Sequence, residues 1–269
     1  MEELKLHANN IRKNVVKMVH NAKSGHPGGA LSAADLMTVL YFEETNITRA
    51  NIDSTDRDRV VFSKGHASAL LYAVLKERGL IDDDLMTYRL INSKLQGHPN
   101  MNYVSGVDMS TGSLGQGISC SVGMAMANKL GKNANRVYVL LGDGEAEEGQ
   151  VWEAAMAAAQ YKLDNLCVIL DNNNLQIDGD IHTVMNPTPF DEKFLAFGWE
   201  VITIDGHNYH EIREAFAKAK TIKGKPTLIL AHTIKGKGVS FMENNYDWHG
   251  KAPNDEQLAQ ALEDLKEVK

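Results

Sequence analysis

Hydrophobic positions recur with a spacing near 3.6 over 3–22, 31–42, 67–78, 115–131, 149–162, 208–220 and 255–267, and each stretch is expected to form a helix with an apolar face. Short runs rich in Val, Ile and Leu lie between them: RVVF (59–62), RVYVLL (136–141), NLCVIL (165–170), WEVITI (199–204) and PTLILA (226–231). These are apolar at consecutive positions, as a strand covered on both faces requires. Strands of this kind alternating with helices predict an α/β fold, a doubly wound and mainly parallel sheet with helices on both faces. A ligand site in such a fold is expected beyond the carboxyl ends of the strands. No internal repeat, low-complexity segment or linker interrupts the pattern, so residues 1–269 are expected to form a single domain.

Composition narrows the function classes. Hydrophobic residues make up 43% and charged residues 23%, ordinary for a globular protein. A formal net charge of -7 and the absence of any basic run argue against a nucleic-acid partner. No apolar stretch is long enough for a membrane span, and the charged start MEELKLHANNIRKNVVKMVHNAK lacks the features of a signal peptide. Cys120 and Cys167 fall in apolar runs and are expected to be buried free thiols. The expected location is the cytoplasm.

The stretch 136–179 carries the most chemistry. It reads strand, loop, helix, strand, loop, and a crossover of this type lays its two strands parallel in one sheet. Asp143 of GDGEAEEG and Asn173 of DNNNLQIDG would then leave the sheet at the same edge. One carboxylate and one amide oxygen make a hard, oxygen-only site that suits Mg²⁺, whose other ligands come from phosphate oxygens and water. The carbonyl of Leu175 is a candidate third protein ligand, and Mn²⁺ or Ca²⁺ are alternatives as the ion. Gly142 and Gly144 leave room for a diphosphate to approach the backbone. Either motif alone is also an ordinary turn. Their combination, with a helix and a strand between, resembles the fingerprint of thiamine diphosphate enzymes.

Histidines stand in Gly/Pro loops at SGHPGG (His26), SKGHAS (His66), QGHPN (His98) and WHG (His249). Imidazoles donate hydrogen bonds to phosphate and sugar oxygens and titrate near neutral pH. Taken in order with TGSLGQG (111–117), GDGEAEEG, DNNNLQIDG and TIKGKG (233–238), these motifs make almost the whole chain resemble the transketolase family. The resemblance implies thiamine diphosphate and a divalent metal as cofactors, with Asp143, Asn173 and the Leu175 carbonyl on the metal. It implies that His66 and His249 contact the diphosphate and that His26 and His98 line the substrate channel. Gly112, Leu114, Gly115 and Gly144 would lie against the cofactor, Leu114 as an apolar wall. Glutamates matching Glu148 and Glu153 belong, in the family, to a relay between two active sites; the helix macrodipole accounts for them equally well. The histidine of DGHN is expected to serve a turn.

Ser113 stands where many full-length transketolases have proline, a form also found in split transketolases and deoxyxylulose-phosphate synthases. Glu148 departs from the glycine-rich pattern of the synthases. The family's pyrimidine-binding and C-terminal domains are expected to be absent from this chain. The resemblance therefore points to the N-terminal subunit of a split transketolase, inactive without a pyrimidine-domain partner and expected in an α₂β₂ assembly. Its reaction would move a two-carbon ketol unit from a ketose phosphate to an aldose phosphate. The competing readings are part of a deoxyxylulose-phosphate-synthase-like enzyme or of a 2-oxoacid dehydrogenase, and a non-catalytic cofactor-binding half-domain. Segment 254–269 is amphipathic enough either to dock on a partner or to cap the domain.

Overall fold

The computed structural model describes residues 1–266. In chain order it forms α1 (Glu2–Ala22), α2 (Pro27–Ser32), α3 (Ala34–Val39), β1 (Arg59–Phe62), α4 (Ser68–Glu77), α5 (Gln116–Leu130), β2 (Val137–Gly142), α6 (Gly149–Gln160) and β3 (Leu166–Asn172). There follow β4 (Leu175–Gln176), β5 (Gly179–Asp180), α7 (Ile181–Val184), α8 (Phe190–Ala196), β6 (Glu200–Asp205), α9 (Tyr209–Thr221), β7 (Thr227–His232) and α10 (Asp255–Asp264). The five long strands make one sheet in the order β1-β2-β3-β7-β6, every pair parallel.

Every residue of β2 and β3 is buried, which explains their unbroken apolar runs. Successive side chains point to opposite faces. Tyr138, Leu140, Cys167, Ile169 and Ile229 join a core with α1, α3, α4 and α9. Val137, Val139, Leu141, Leu166, Val168, Leu170 and Leu228 join a second core with α5, α6 and α8. After β3 the chain crosses to the far edge as β6 and returns as β7 beside β3. That reversal leaves a crevice at the carboxyl ends of β3 and β7, where an open α/β sheet binds its ligands.

Some expectations need correction. The single helix expected over 31–42 is α2 and α3, broken at Ala33 and continued by a π turn, Leu40–Glu44. Pro27 starts α2 early, since its missing N–H would have had no partner in a first turn anyway. The β4–β5 hairpin, α7 and α8 are too short to produce a periodic signal. Helix α10 reaches Asp264, and the end expected at 267 lies outside the described residues. Both cysteines are free, but only Cys167 is buried; Cys120 is exposed. The reason is that α5 is apolar nearly all round, so its sequence does not reveal which face turns outward.

Candidate functional site

Loops from the carboxyl ends of β1, β2, β3 and β7 enclose a cavity of about 530 Å³, the size of an ordinary small-molecule site. After β1, the turn Gly65–Ala67 presents His66, and the backbone of the TGSLGQG loop packs directly on it. A Cβ on Gly65 would lie 2.6 Å from Thr111 Oγ1, so only glycine permits this approach. Gly112, at φ 148°, lets the same loop pass His98: an added Cβ would sit 3.1 Å from that ring. Leu114 lines the cavity, and Gly115 turns the chain into α5 with φ 78°.

The structure brings the four histidines together. Ring centroids are 5.4 Å apart for His26 and His66, 6.3 Å for His26 and His98, 5.5 Å for His26 and His249, and 5.0 Å for His66 and His249. Burial, with the nearby charge of Arg89, holds the His26 imidazole down to about 4. Burial and then Lys235 hold His249 down to about 3. His66 is lowered by burial and Lys64, and His98 by burial and Arg89. At neutral pH all four are uncharged, each with one N–H to donate and one nitrogen to accept.

Asp143 and Asn173 do leave neighbouring strands at one edge, because Gly142 pairs with Asp171 across β2 and β3. The Asp143 carboxylate accepts from the backbone N–H groups of Gly144 at 2.8 Å and Asn174 at 2.5 Å. Burial and the charge of Asp171 push its carboxyl upward. The Asn173 side-chain oxygen accepts from Leu175 N at 3.2 Å. The Leu175 carbonyl accepts from the Lys235 ammonium at 2.9 Å. Gly144 is required by the β4 hairpin as well as by any ligand, since its Cβ would lie 2.8 Å from Gln176 Cβ. Glu148, at the N-cap of α6, reaches the cavity and is exposed; Glu153 lies farther along the exposed side of α6 and does not line it.

Two lysines that sequence reasoning passed over form the floor. Lys64 pairs with Asp171 at 2.5 Å, and Ser32 and Thr233 donate to the same carboxylate. Burial raises the Asp171 carboxyl, but Lys64 together with the hydrogen bonds from Ser32 and Thr233 outweighs it, and the group lies below its usual range. Lys235 is 2% exposed and makes no ion pair among the described residues; its ammonium also lies 3.1 Å from His249 Nδ1. Burying an ion carries a penalty on the order of several kcal/mol, and the carboxylates of Asp143 and Asp171 offset it only from beyond ion-pair distance. Burial and the repulsion of Lys64 accordingly lower the Lys235 pKa. An anion in the cavity would relieve that cost. Arg89 was also passed over: it donates to Ser24 at 2.9 Å and to the Gly97 carbonyl at 3.3 Å, lies 3.3 Å from His26 Nδ1 and so ties the two outer histidine loops. The signals were present in SKGHAS and TIKGKG, and in the acid that ends the apolar run of β3.

This donor set fits a metal-bound diphosphate: hard oxygens at Asp143, Asn173 and Leu175, neutral histidines, a buried ammonium at Lys235 with no ion pair among the described residues, and a glycine at 29. A Cβ on Gly29 would sit 3.3 Å from Lys64 Nζ and 3.5 Å from His66 Nε2, inside the space the ligand would use.

Comparison with known proteins identifies the family. Residues 4–266 match the family described as "Transketolase, thiamine diphosphate binding domain". One subunit of the apulose-4-phosphate transketolase of Phocaeicola vulgatus is 42% identical over 268 residues, 99% of this chain and 95% of that protein. The 6-deoxy-6-sulfo-D-fructose transketolase subunit SqwG of Clostridium sp. is 42% identical over 98% of this chain and 96% of that protein. The crystal structure of Campylobacter jejuni transketolase superposes with a TM-score of 0.92 at 39% identity, covering 98% of this chain. This chain spans only 43% of that full-length enzyme. The chain therefore belongs to the transketolase family, of which it is a thiamine diphosphate-binding domain similar in extent to the separate subunits found in Phocaeicola and Clostridium.

Proposed function

We propose that the chain is one half of a transketolase that moves a two-carbon ketol unit from a ketose phosphate to an aldose phosphate. The observation that carries this reading is the convergence, on one cavity, of three candidate oxygen ligands, the buried Lys235 ammonium and the neutral His66 and His249, with His26 packed against both and His98 against His26. Asp143, Asn173 and the Leu175 carbonyl would hold Mg²⁺, with Mn²⁺ or Ca²⁺ as substitutes. His66, His249 and Lys235 would bind the diphosphate, with Leu114 as wall and Gly112, Gly115 and Gly144 allowing its approach. When bound, thiamine diphosphate supplies the carbanion chemistry. His26 and His98 would bind donor hydroxyls and take or return protons at the substrate oxygens. Glu148, at the cavity edge, and Glu153 beside it on α6 would serve a relay toward a second site.

The chain is read as a single diphosphate- and metal-binding domain that works in the cytoplasm, in an α₂β₂ assembly with a separate pyrimidine-domain chain. Exposed apolar side chains support the need for a partner: Ile177 is 60% and Met185 63% exposed at the cavity mouth, and Met156 51% on α6. Ile177 and Met185 both line the cavity, and apolar side chains grouped in this way mark a surface that a partner or ligand covers. Pentose phosphates are the default substrates. The names of the relatives, one for apulose 4-phosphate and one for a sulfonated fructose, add branched and sulfonated sugars.

The test is ketol transfer from xylulose 5-phosphate to ribose 5-phosphate with Mg²⁺ and thiamine diphosphate, using the chain alone and with its pyrimidine-domain partner. Activity in the pair only is expected. Activity in the chain alone would refute the divided site. A requirement for pyruvate as donor would reassign the enzyme to the synthase or dehydrogenase class.

A further inference from the structure

Glu145 is buried to 3% exposure on the turn after β2, and no step proposed above uses it. Its Oε1 accepts from Ser63 Oγ at 2.6 Å and from Gly115 N at 2.8 Å, while its Oε2 accepts from Gly142 N at 3.1 Å. Ser63 Oγ in turn accepts from Ile118 N at 3.2 Å, so the serine hydroxyl is left to donate to the glutamate. The three donors belong to three different segments: the loop after β1, the N-terminus of α5 and the end of β2. Each lies next to a residue that lines the cavity, respectively Lys64, Leu114 and Asp143.

We propose that Glu145 is a positioning residue whose carboxylate fastens these three loops together, fixing the Leu114 wall and the Asp143 ligand relative to one cofactor. The inference rests on the cofactor reading above. Its chemistry requires a carboxylate specifically. All three groups facing Glu145 donate, so a side chain of the same shape that carries an N–H must present a donor to a donor. In Glu145→Gln the amide nitrogen would face either Gly142 N–H or Gly115 N–H, and neither backbone group can turn away. Burial pushes the carboxyl upward, while the three hydrogen bonds and the more distant Lys64 oppose that shift. No lysine or arginine pairs with it among the described residues, so hydrogen bonding rather than a salt bridge holds the loops.

A tie that served folding alone would lower stability and leave cofactor affinity intact wherever the variant is folded. The test therefore uses the complex of this chain with its pyrimidine-domain partner, held at fixed Mg²⁺. It compares the thiamine diphosphate Kd, read by fluorescence quenching, with kcat at saturating cofactor. Glu145→Gln is expected to raise Kd about tenfold, the equivalent of one good hydrogen bond, and to lower kcat less than about threefold. Should that variant not fold, Ser63→Ala removes one donor, leaves both backbone ties in place and is expected to raise Kd about threefold. A Kd within about twofold of wild type in the folded variants, or a loss confined to kcat, overturns the inference. A wild-type complex that takes up no thiamine diphosphate overturns the cofactor reading instead, and this inference with it.

Discussion

A histidine is useful to a phosphate or a sugar in its neutral form only if something keeps it neutral. At this site burial does so, helped by Lys64, Lys235 and Arg89. His26 titrates at about 4 in the folded chain, whereas an unfolded histidine titrates near 6.5. Between those values the unfolded chain binds the extra proton, so stability falls as pH drops from about 6.5 toward about 4 and is constant above. NMR titration of the cofactor-free chain should accordingly find the His26 ring neutral at pH 5.5. A ring that protonates near pH 6.5 would contradict the packing described. The histidines could be picked out of the sequence because they punctuate Gly/Pro loops, where a side chain has no helical or strand face to serve. Lys64 and Lys235 could not, because lysine is ordinarily a solvated residue and only the assembled loops reveal that these two are covered. Glu145 was obscured by its neighbours Glu147 and Glu148, since an acidic run near a helix start reads as macrodipole compensation.

At the scale of elements, close backbone approach sets the position of α5. Gly117, in its first turn, faces the loop after β1: an added Cβ would sit 2.6 Å from Ser63 Cα and 2.7 Å from Ser63 Cβ. Helix propensity alone would make Gly117→Ala stabilising by about 1 kcal/mol. The collision with backbone should win, and we expect a net loss of about 1–3 kcal/mol in urea unfolding. A gain in stability would mean that α5 does not dock as described. Elements with strong periodicity, α1, α6 and α9 among them, were legible to within a residue or two, as were all five long strands. The register between strands was not, because apolar runs of Val, Ile and Leu pair equally well at several offsets. The break at Ala33 was missed because small apolar residues continue across it without interrupting the pattern.

Across the whole molecule, one reversal in strand order collects residues from distant parts of the sequence at a single edge. The motifs were visible in the sequence, and their common destination followed from the parallel sheet. The sequence did not show that the cavity would be floored by two buried lysines, of which Lys64 makes a close ion pair and Lys235 makes none among the described residues, since that depends on tertiary burial. Lys235, which makes no ion pair among the described residues, is placed to meet an anion in the cavity, and Asp143, Asn173 and Leu175 supply oxygens for the cation that would accompany that anion. The most direct test is a crystal structure of the chain with its pyrimidine-domain partner, thiamine diphosphate and Mn²⁺, the ion located by anomalous scattering. We expect one Mn²⁺ coordinated by Asp143, Asn173 and the Leu175 carbonyl, with the diphosphate against His66, His249 and Lys235. An ion held elsewhere, or a diphosphate that leaves Lys235 still bonded to the Leu175 carbonyl, would contradict the site proposed.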